Sequence, residues 1–208
     1  MKDRGFTLIE LMVVIVIIGI MLIIASPGIR NWYTGFQLKS SADNIMNTLA
    51  AARLTAINTN SNQIVVFNLS NNSYYVINDA NRDCTNLSDV TSGSCVQSGD
   101  LGRTYTLPPT IQFGYVQVAN PVPQAYSAIF PTATTTACAL FCKGNIGAIE
   151  FNASGKAINM FSPDPASSNG IGGAIVLIPD SDLINNNSSR QIIIGFVSMT
   201  GAVVKFGE

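Results

Sequence analysis

From Leu11 to Ile29 the chain carries no charged residue, and from Leu11 to Ala25 every position except Gly19 is apolar. Those 19 uncharged residues, preceded by Phe6, Thr7, Leu8 and Ile9, reach the roughly 20 that a helix needs to cross a bilayer. Lys2 and Arg4 stand just before the run, and Arg30 and Lys39 follow it. A cleaved secretory signal has the same basic-then-apolar order. Here, however, the apolar run is too long, and no small-x-small pattern closes it: the nearest candidate, Ala25-Ser26, is followed by Pro27. A retained membrane helix is the expectation. Glu10 is then the anomaly, because a carboxylate at membrane depth costs on the order of 2.5–3.5 kcal/mol and calls for a function.

The rest of the composition narrows the chemistry. Of 208 residues 47% are hydrophobic, yet only 11% are charged, less than half the usual ~25%. Asn, Ser and Thr number 54 and supply most of the polar surface. Histidine is absent, which removes His-based nucleophile pairs, general bases and zinc ligands. A net charge of −1 gives no global attraction to nucleic acid or anionic lipid. No enzyme activity and no cofactor are expected.

The string Lys2-Asp3-Arg4-Gly5-Phe6-Thr7-Leu8-Ile9-Glu10, running into an uncharged stretch, resembles the class III signal of type IV pilins and pseudopilins. The resemblance implies cleavage by prepilin peptidase between Gly5 and Phe6, and N-methylation of Phe6. It also implies assembly through packing of the apolar helices with those of other pilins or pseudopilins. A lone carboxylate in such a core is severely desolvated. The α-amine of Phe6 from the next subunit would neutralise Glu10, so that correct register is rewarded. The localisation implied is a single pass of a bacterial inner membrane with a periplasmic head, followed by a pilus or pseudopilus.

Beyond the apolar run, Pro27 and Gly28 follow, with Gly19 inside it; proline removes a helix hydrogen bond and crowds the preceding turn. A kink or local loosening is expected between Gly19 and Pro27, which in pilins mark where this helix can open. Leu38, Ala42, Ile45, Leu49, Ala52 and Ala56 then recur at intervals of three and four, an apolar stripe at helical period. Lys39 and Asp43 lie off the stripe at i,i+4 and can pair weakly. A helix from Phe6 to about Asn58 would be roughly 80 Å long. Its second half, Leu49-Ala50-Ala51-Ala52-Arg53-Leu54-Thr55-Ala56-Ile57 leading into Ile64-Val65-Val66-Phe67, resembles the GspH/FimT group of this family. Arg53 reads equally well as part of that group's signature or as a solvated or helix-anchoring charge.

After residue 62 the apolar pattern turns to alternation and short runs. Strands are expected at Gln63–Phe67, Tyr74–Asn78, Thr110–Val118, Gly147–Phe151, Lys156–Phe161, Ala174–Pro179, Gln191–Ser198 and Ala202–Phe206. The fold class is therefore α+β: a long N-terminal helix, membrane-spanning in its first half, packed on an antiparallel β-sheet head. The expected organisation is a leader at 1–5, a transmembrane assembly helix at 6–29, its amphipathic continuation at 30–60, and a head at 61–208. The cysteines, Cys84, Cys95, Cys138 and Cys142, all lie in the exported part. Two disulfides are expected there, with Cys84–Cys95 and Cys138–Cys142 favoured among three pairings because each closes a local loop. A four-cysteine zinc site is the rival, but the spacings of eleven and four do not match paired C-x2-C knuckles.

Asp79, Asn81 and Asp83 have the D-x-N-x-D rhythm of a calcium loop, but Cys84 stands where the loop needs Gly and Val90 where it needs Glu. A hydrogen-bonded turn fits that segment better, and Asp180-Ser181-Asp182 reads as a loop. Some FimT-type minor pilins capture DNA through a basic C-terminal strand. The corresponding Gly201-Ala202-Val203-Val204-Lys205 has a single cation, which argues against nucleic acid. Asp164 and Glu150 have no sequence-level claim to a shared acid–base site. The function expected is that of a minor pilin or pseudopilin supporting protein secretion or pilus assembly, with a DNA- or surface-binding tip subunit as the alternative.

Overall fold

The computed structural model describes residues 7–116, 137–139, 142–160, 172–197 and 200–207. Helix α1 runs from Leu8 to Thr59. It stops where Asn60 turns left-handed at φ 50° while its N–H still reaches the Ala56 carbonyl, a closure that asparagine tolerates. The limbs Leu8–Ile24 and Gly28–Thr59 meet at 48°. Among the described residues no single helix is long and apolar enough to cross a membrane, but this bent pair meets the requirement together by length and composition.

The two limbs have opposite fates. Every large apolar side chain from Leu8 to Ile24 is 47–76% exposed. In the second limb Leu38, Ala42, Ile45, Leu49, Ala52 and Ala56 are all buried, so the stripe read from the sequence faces the head. Long-range polar bonds hold the second limb there. Thr110 donates to Gln37, Lys205 pairs with Asp43 at 2.5 Å, and Arg53 Nε donates to the Gly155 carbonyl at 2.9 Å. Asp43 therefore takes the strand-borne Lys205 as its partner and not Lys39 one turn away. The head brings a fixed cation to the helix surface, and that outcompetes a flexible i,i+4 pair.

The head comprises β1 (Asn62–Asn68), β2 (Ser73–Asp79), α2 (Leu87–Ser92), β3 (Leu101–Thr106), β4 (Ile111–Phe113), β5 (Cys138–Ala139), β6 (Cys142–Lys143), β7 (Ile146–Phe151), β8 (Ala157–Asn159), β9 (Gly172–Pro179), α3 (Asp180–Ile184), β10 (Ile192–Val197) and β11 (Ala202–Phe206). One antiparallel sheet has the order β3-β2-β1-β7-β6, with β8 also on β7; the second has the order β11-β10-β9-β4, with β5 also on β9. The fold is α+β, as the period change near residue 62 implies.

The main core lies where the α1 stripe meets both sheets, through Val65, Phe67, Phe113, Ile149, Phe151, Leu177, Ile194 and Phe196. A second core sits on the other face of the first sheet. There Ile64, Val66, Ile77, Ala148 and Met160 are covered by Leu87 and Val90 of α2 and by Cys84 and Cys95.

Several expected boundaries shift for identifiable reasons. The strand expected over Thr110–Val118 is regular only at β4, with residues 117 and 118 outside the described set. At 114–116 the backbone is held by other means: Gly114 N–H bonds to the Val176 carbonyl, and the Gln191 side chain takes both the N–H and carbonyl of Val116 at 3.2 Å. Lys156 belongs to the turn before β8, its N–H taken by Asn152, and Phe161 lies outside the described residues. Asp180-Ser181-Asp182 begins α3 and does not form a loop. Its anchor is a two-point pair between Arg190 and the buried Asp182, at 2.7 and 2.5 Å.

Candidate assembly site

The site begins with residues that satisfy the exposed start of a helix. Thr7 is the N-cap of α1: its hydroxyl accepts the Glu10 N–H at 3.3 Å, and Glu10 Oε2 in return accepts the Thr7 N–H at 3.0 Å and hydroxyl at 2.9 Å. This reciprocal box satisfies backbone donors that would otherwise have no partner. Thr-x-x-Glu is its local signature, present in Thr7-Leu8-Ile9-Glu10. Gly5 and Phe6, the expected cleavage and methylation residues, lie outside the described residues.

Glu10 thus sits at the end of a rod whose large apolar side chains are all about half or more exposed among the described residues. Burying a Leu, Ile or Val side chain is worth roughly 1.5–3 kcal/mol, so an uncovered run of this length demands lipid or other helices. Gly19 lies within this limb, and a Cβ built on it would meet no atom outside its own helix within 4 Å. Pro27 lies at the junction between the limbs, where the 48° bend occurs.

At its other end α1 is clamped to the head. Arg53 reaches the Gly155 carbonyl, and both Gly155 (φ +75°) and Gly201 (φ +63°) pack beneath it in left-handed conformations. A side chain on Gly201 would collide with the Gly155 carbonyl and come within 2.9 Å of Arg53 Nε. Arg53 is therefore a helix anchor, joining the β7–β8 and β10–β11 turns to the helix end. Gly201→Ala should destabilise the chain by about 2 kcal/mol or more through strain and collision. Arg53→Ala should cost about 1–2 kcal/mol through the lost charged hydrogen bond. Urea unfolding of the detergent-solubilised chain checks both.

The remaining expected features resolve as follows. Cys84 is bonded to Cys95 and Cys138 to Cys142, with Cα atoms 5.1 and 5.9 Å apart. The calcium-like triplet forms a turn: Asp79 Oδ1 accepts the Asp83 N–H at 3.1 Å, and the Asn81 amide donates to Asp83 Oδ2 at 2.8 Å. Among the described residues, the grouping compact enough to hold a metal is Asp83 with Cys84 and Cys95, whose sulfurs are already tied to each other. Lys205, the cation of the C-terminal strand, is engaged by Asp43. Asp164 lies outside the described residues.

Glu150 is a titratable group whose setting the sequence does not reveal. It lies on β7 and is buried. Burial pushes its carboxyl up to about 7, helped by the negative charge of Asp79 and opposed by Arg82. Asp79, fully buried, is itself raised by burial, while the N–H groups of Asp83 and Cys84 work against the rise. A carboxyl at about 7 in the folded state against 4.5 when free makes folding take up a proton at pH values between the two. The penalty is absent below 4.5, grows as pH rises from there, and is fully developed once pH passes about 7. The melting temperature of the chain should therefore fall between about pH 5 and about pH 8, and Glu150→Gln should flatten that fall.

Comparison with known proteins places the N-terminal segment. Residues 1–26 match the family model described as the prokaryotic N-terminal methylation motif. No curated protein matches the chain. Two structures of the minor pseudopilin EpsH from the type II secretion system of Vibrio cholerae are similar to it. One aligns with a TM-score of 0.44 at 11% identity, covering 82% of this chain and 97% of that one. The other aligns with a TM-score of 0.43 at 12% identity, covering 82% and 94%.

Proposed function

We propose that this type IV pilin-like chain is a minor structural subunit of the GspH/FimT group. Prepilin peptidase cuts it between Gly5 and Phe6, and Phe6 is methylated. The chain then waits in the inner membrane as a single-pass protein with a periplasmic head, and its helix enters a type II secretion pseudopilus or a type IV pilus. Its work there is assembly in support of secretion or pilus formation, and not catalysis.

The observation that carries this reading is the unpartnered first limb of α1, bearing Glu10 near its start and continuous with a limb locked into the head. A rod of that kind transmits position between a core of packed helices and an outer domain. The Leu49–Ile57 segment supports the subgroup, because Arg53 and the stripe around it fasten rod to head. Within a filament, Glu10 would exchange its bond to Thr7 for the α-amine of the adjoining subunit.

Photocross-linking from Val14 or Ile18, both about half exposed, tests the reading in the native membrane. Adducts with other pilin-like subunits are expected, and their identity decides between secretion and pilus assemblies. Adducts with lipid alone, under conditions in which filaments form, would contradict it.

A further inference from the structure

Ile29, Trp32, Tyr33 and Phe36 recur at intervals of three, one and three, so they share one face of the second limb. All four are exposed, Trp32 at 72% and Phe36 at 61%. At about 100° per residue this face lies half a turn from the stripe that begins at Leu38 and enters the head. Burial agrees: Thr34, Gly35 and Gln37, which turn toward the head, are half-buried beside the exposed rings. The head therefore leaves this stripe largely exposed, with Phe36 bordering a groove shared with Thr106, Leu107 and Pro108, and the stripe continues from the bare first limb.

We propose that Ile29, Trp32, Tyr33 and Phe36 form an interfacial anchor that seats the second limb of α1 on the periplasmic headgroup layer of the membrane. The proposal rests on the membrane-anchored reading above. Its geometry follows from helix dimensions. With the first limb along the bilayer normal, a hydrocarbon core of about 30 Å entered at Leu8 is left near Ile29. Beyond the bend of 48° the second limb climbs at roughly 1 Å per residue. Trp32, Tyr33 and Phe36 then rise only about 3–7 Å above the hydrocarbon, within an interfacial layer of roughly 5–7 Å. Helical side chains also lean toward the N-terminus, which swings the rings back toward the lipid.

The residue types suit that layer. Trp and Tyr combine an apolar ring with a polar atom and concentrate where hydrocarbon meets headgroups. Arg30 and Lys39 flank the stripe on its two sides, where long basic side chains can reach lipid phosphates. With the head on the opposite side of the helix, the anchor fixes the attitude of the head without pressing it into the bilayer.

Trp32 is the single tryptophan of the chain, so its fluorescence reports the anchor alone. The full-length chain is reconstituted in phosphatidylcholine vesicles. The expected result is blue-shifted emission that is largely lost with lipids brominated high on their acyl chains. Lipids brominated near the chain ends, and acrylamide in solution, should have little effect. Tyr33→Ser with Phe36→Ser, both at exposed positions, should shift the emission back toward the red. A Val16→Trp probe in a Trp32→Phe background separates the premise from the proposal, since it should respond to bromine near the chain ends. If that probe responds while Trp32 is quenched by acrylamide and ignores brominated lipid, the anchor is wrong and the membrane reading survives. If neither probe senses bromine, both are wrong. Blue-shifted Trp32 emission that ignores bromine and grows with the protein-to-lipid ratio would show a second copy on the stripe and would also overturn the proposal.

Discussion

Glu10→Leu is expected to leave the chain folded and membrane-bound while reducing its incorporation into filaments by about a hundredfold or more. The loss arises in the neighbour: an α-amine buried among apolar helices without its carboxylate costs roughly 3–5 kcal/mol, about two to three and a half decades in an equilibrium. The substitution also removes half of the cap with Thr7, but a lost cap is worth only about 1 kcal/mol at the exposed start of α1. Glu10→Gln separates the two effects, because an amide can still close the reciprocal cap while carrying no charge. If the charge matters, Gln fails nearly as badly as Leu; if the cap matters, Gln restores assembly. Quantifying tagged subunit in sheared filaments against subunit retained in membranes reads the difference.

Ile45→Asp should do the greatest damage to the head. Ile45 is fully buried at the centre of the stripe where α1 meets both sheets. Its replacement removes a large apolar side chain, worth roughly 2–5 kcal/mol on truncation alone, and puts a carboxylate in its place. The combined effect exceeds the ~5 kcal/mol at the lower end of domain stability, so the chain should be degraded in cells and should show no cooperative unfolding in detergent. The same change at Leu54, exposed on the outer face of the helix, should leave the melting transition within about 0.5 kcal/mol of the parent. The contrast between two positions nine residues apart would show that this half of the helix is a structural part of the head.

That partition was legible because it is periodic and local. A helical stripe, an uncharged run and a change to alternation near residue 62 each need only a short window to be seen. The elements that stayed hidden lacked such a window. Strand β3 is an edge strand whose residues are almost all exposed, so Leu101–Thr106 shows no buried alternation. Helix α3 begins at a proline with no side-chain cap, and its fixed point is the pairing of Asp182 with Arg190, which depends on the path of the intervening turn. The partner of Asp43 is Lys205, 162 residues away. Glu150 became notable only when the second core covered it. Sites set by contacts between distant strands require the fold; sites set within one helical turn do not.

The first turn of α1 shows both sides of this. Glu10 stood out as the charge at the edge of an apolar run. Its bond to Thr7 is equally local, since Thr-x-x-Glu at a helix start is a capping signature. Both roles can belong to one residue, because the cap is made within the single chain and the proposed contact with an α-amine would form only after cleavage and assembly.

Assembly by the proposed route requires that the mature chain begin at Phe6. Intact-mass measurement of the protein extracted from membranes of its native host decides this directly. The expected mass is that of residues 6–208 carrying one added methyl group on Phe6. A chain that retains Met1–Gly5, or one shortened by a cut after Ala25, would contradict the assembly reading at its root.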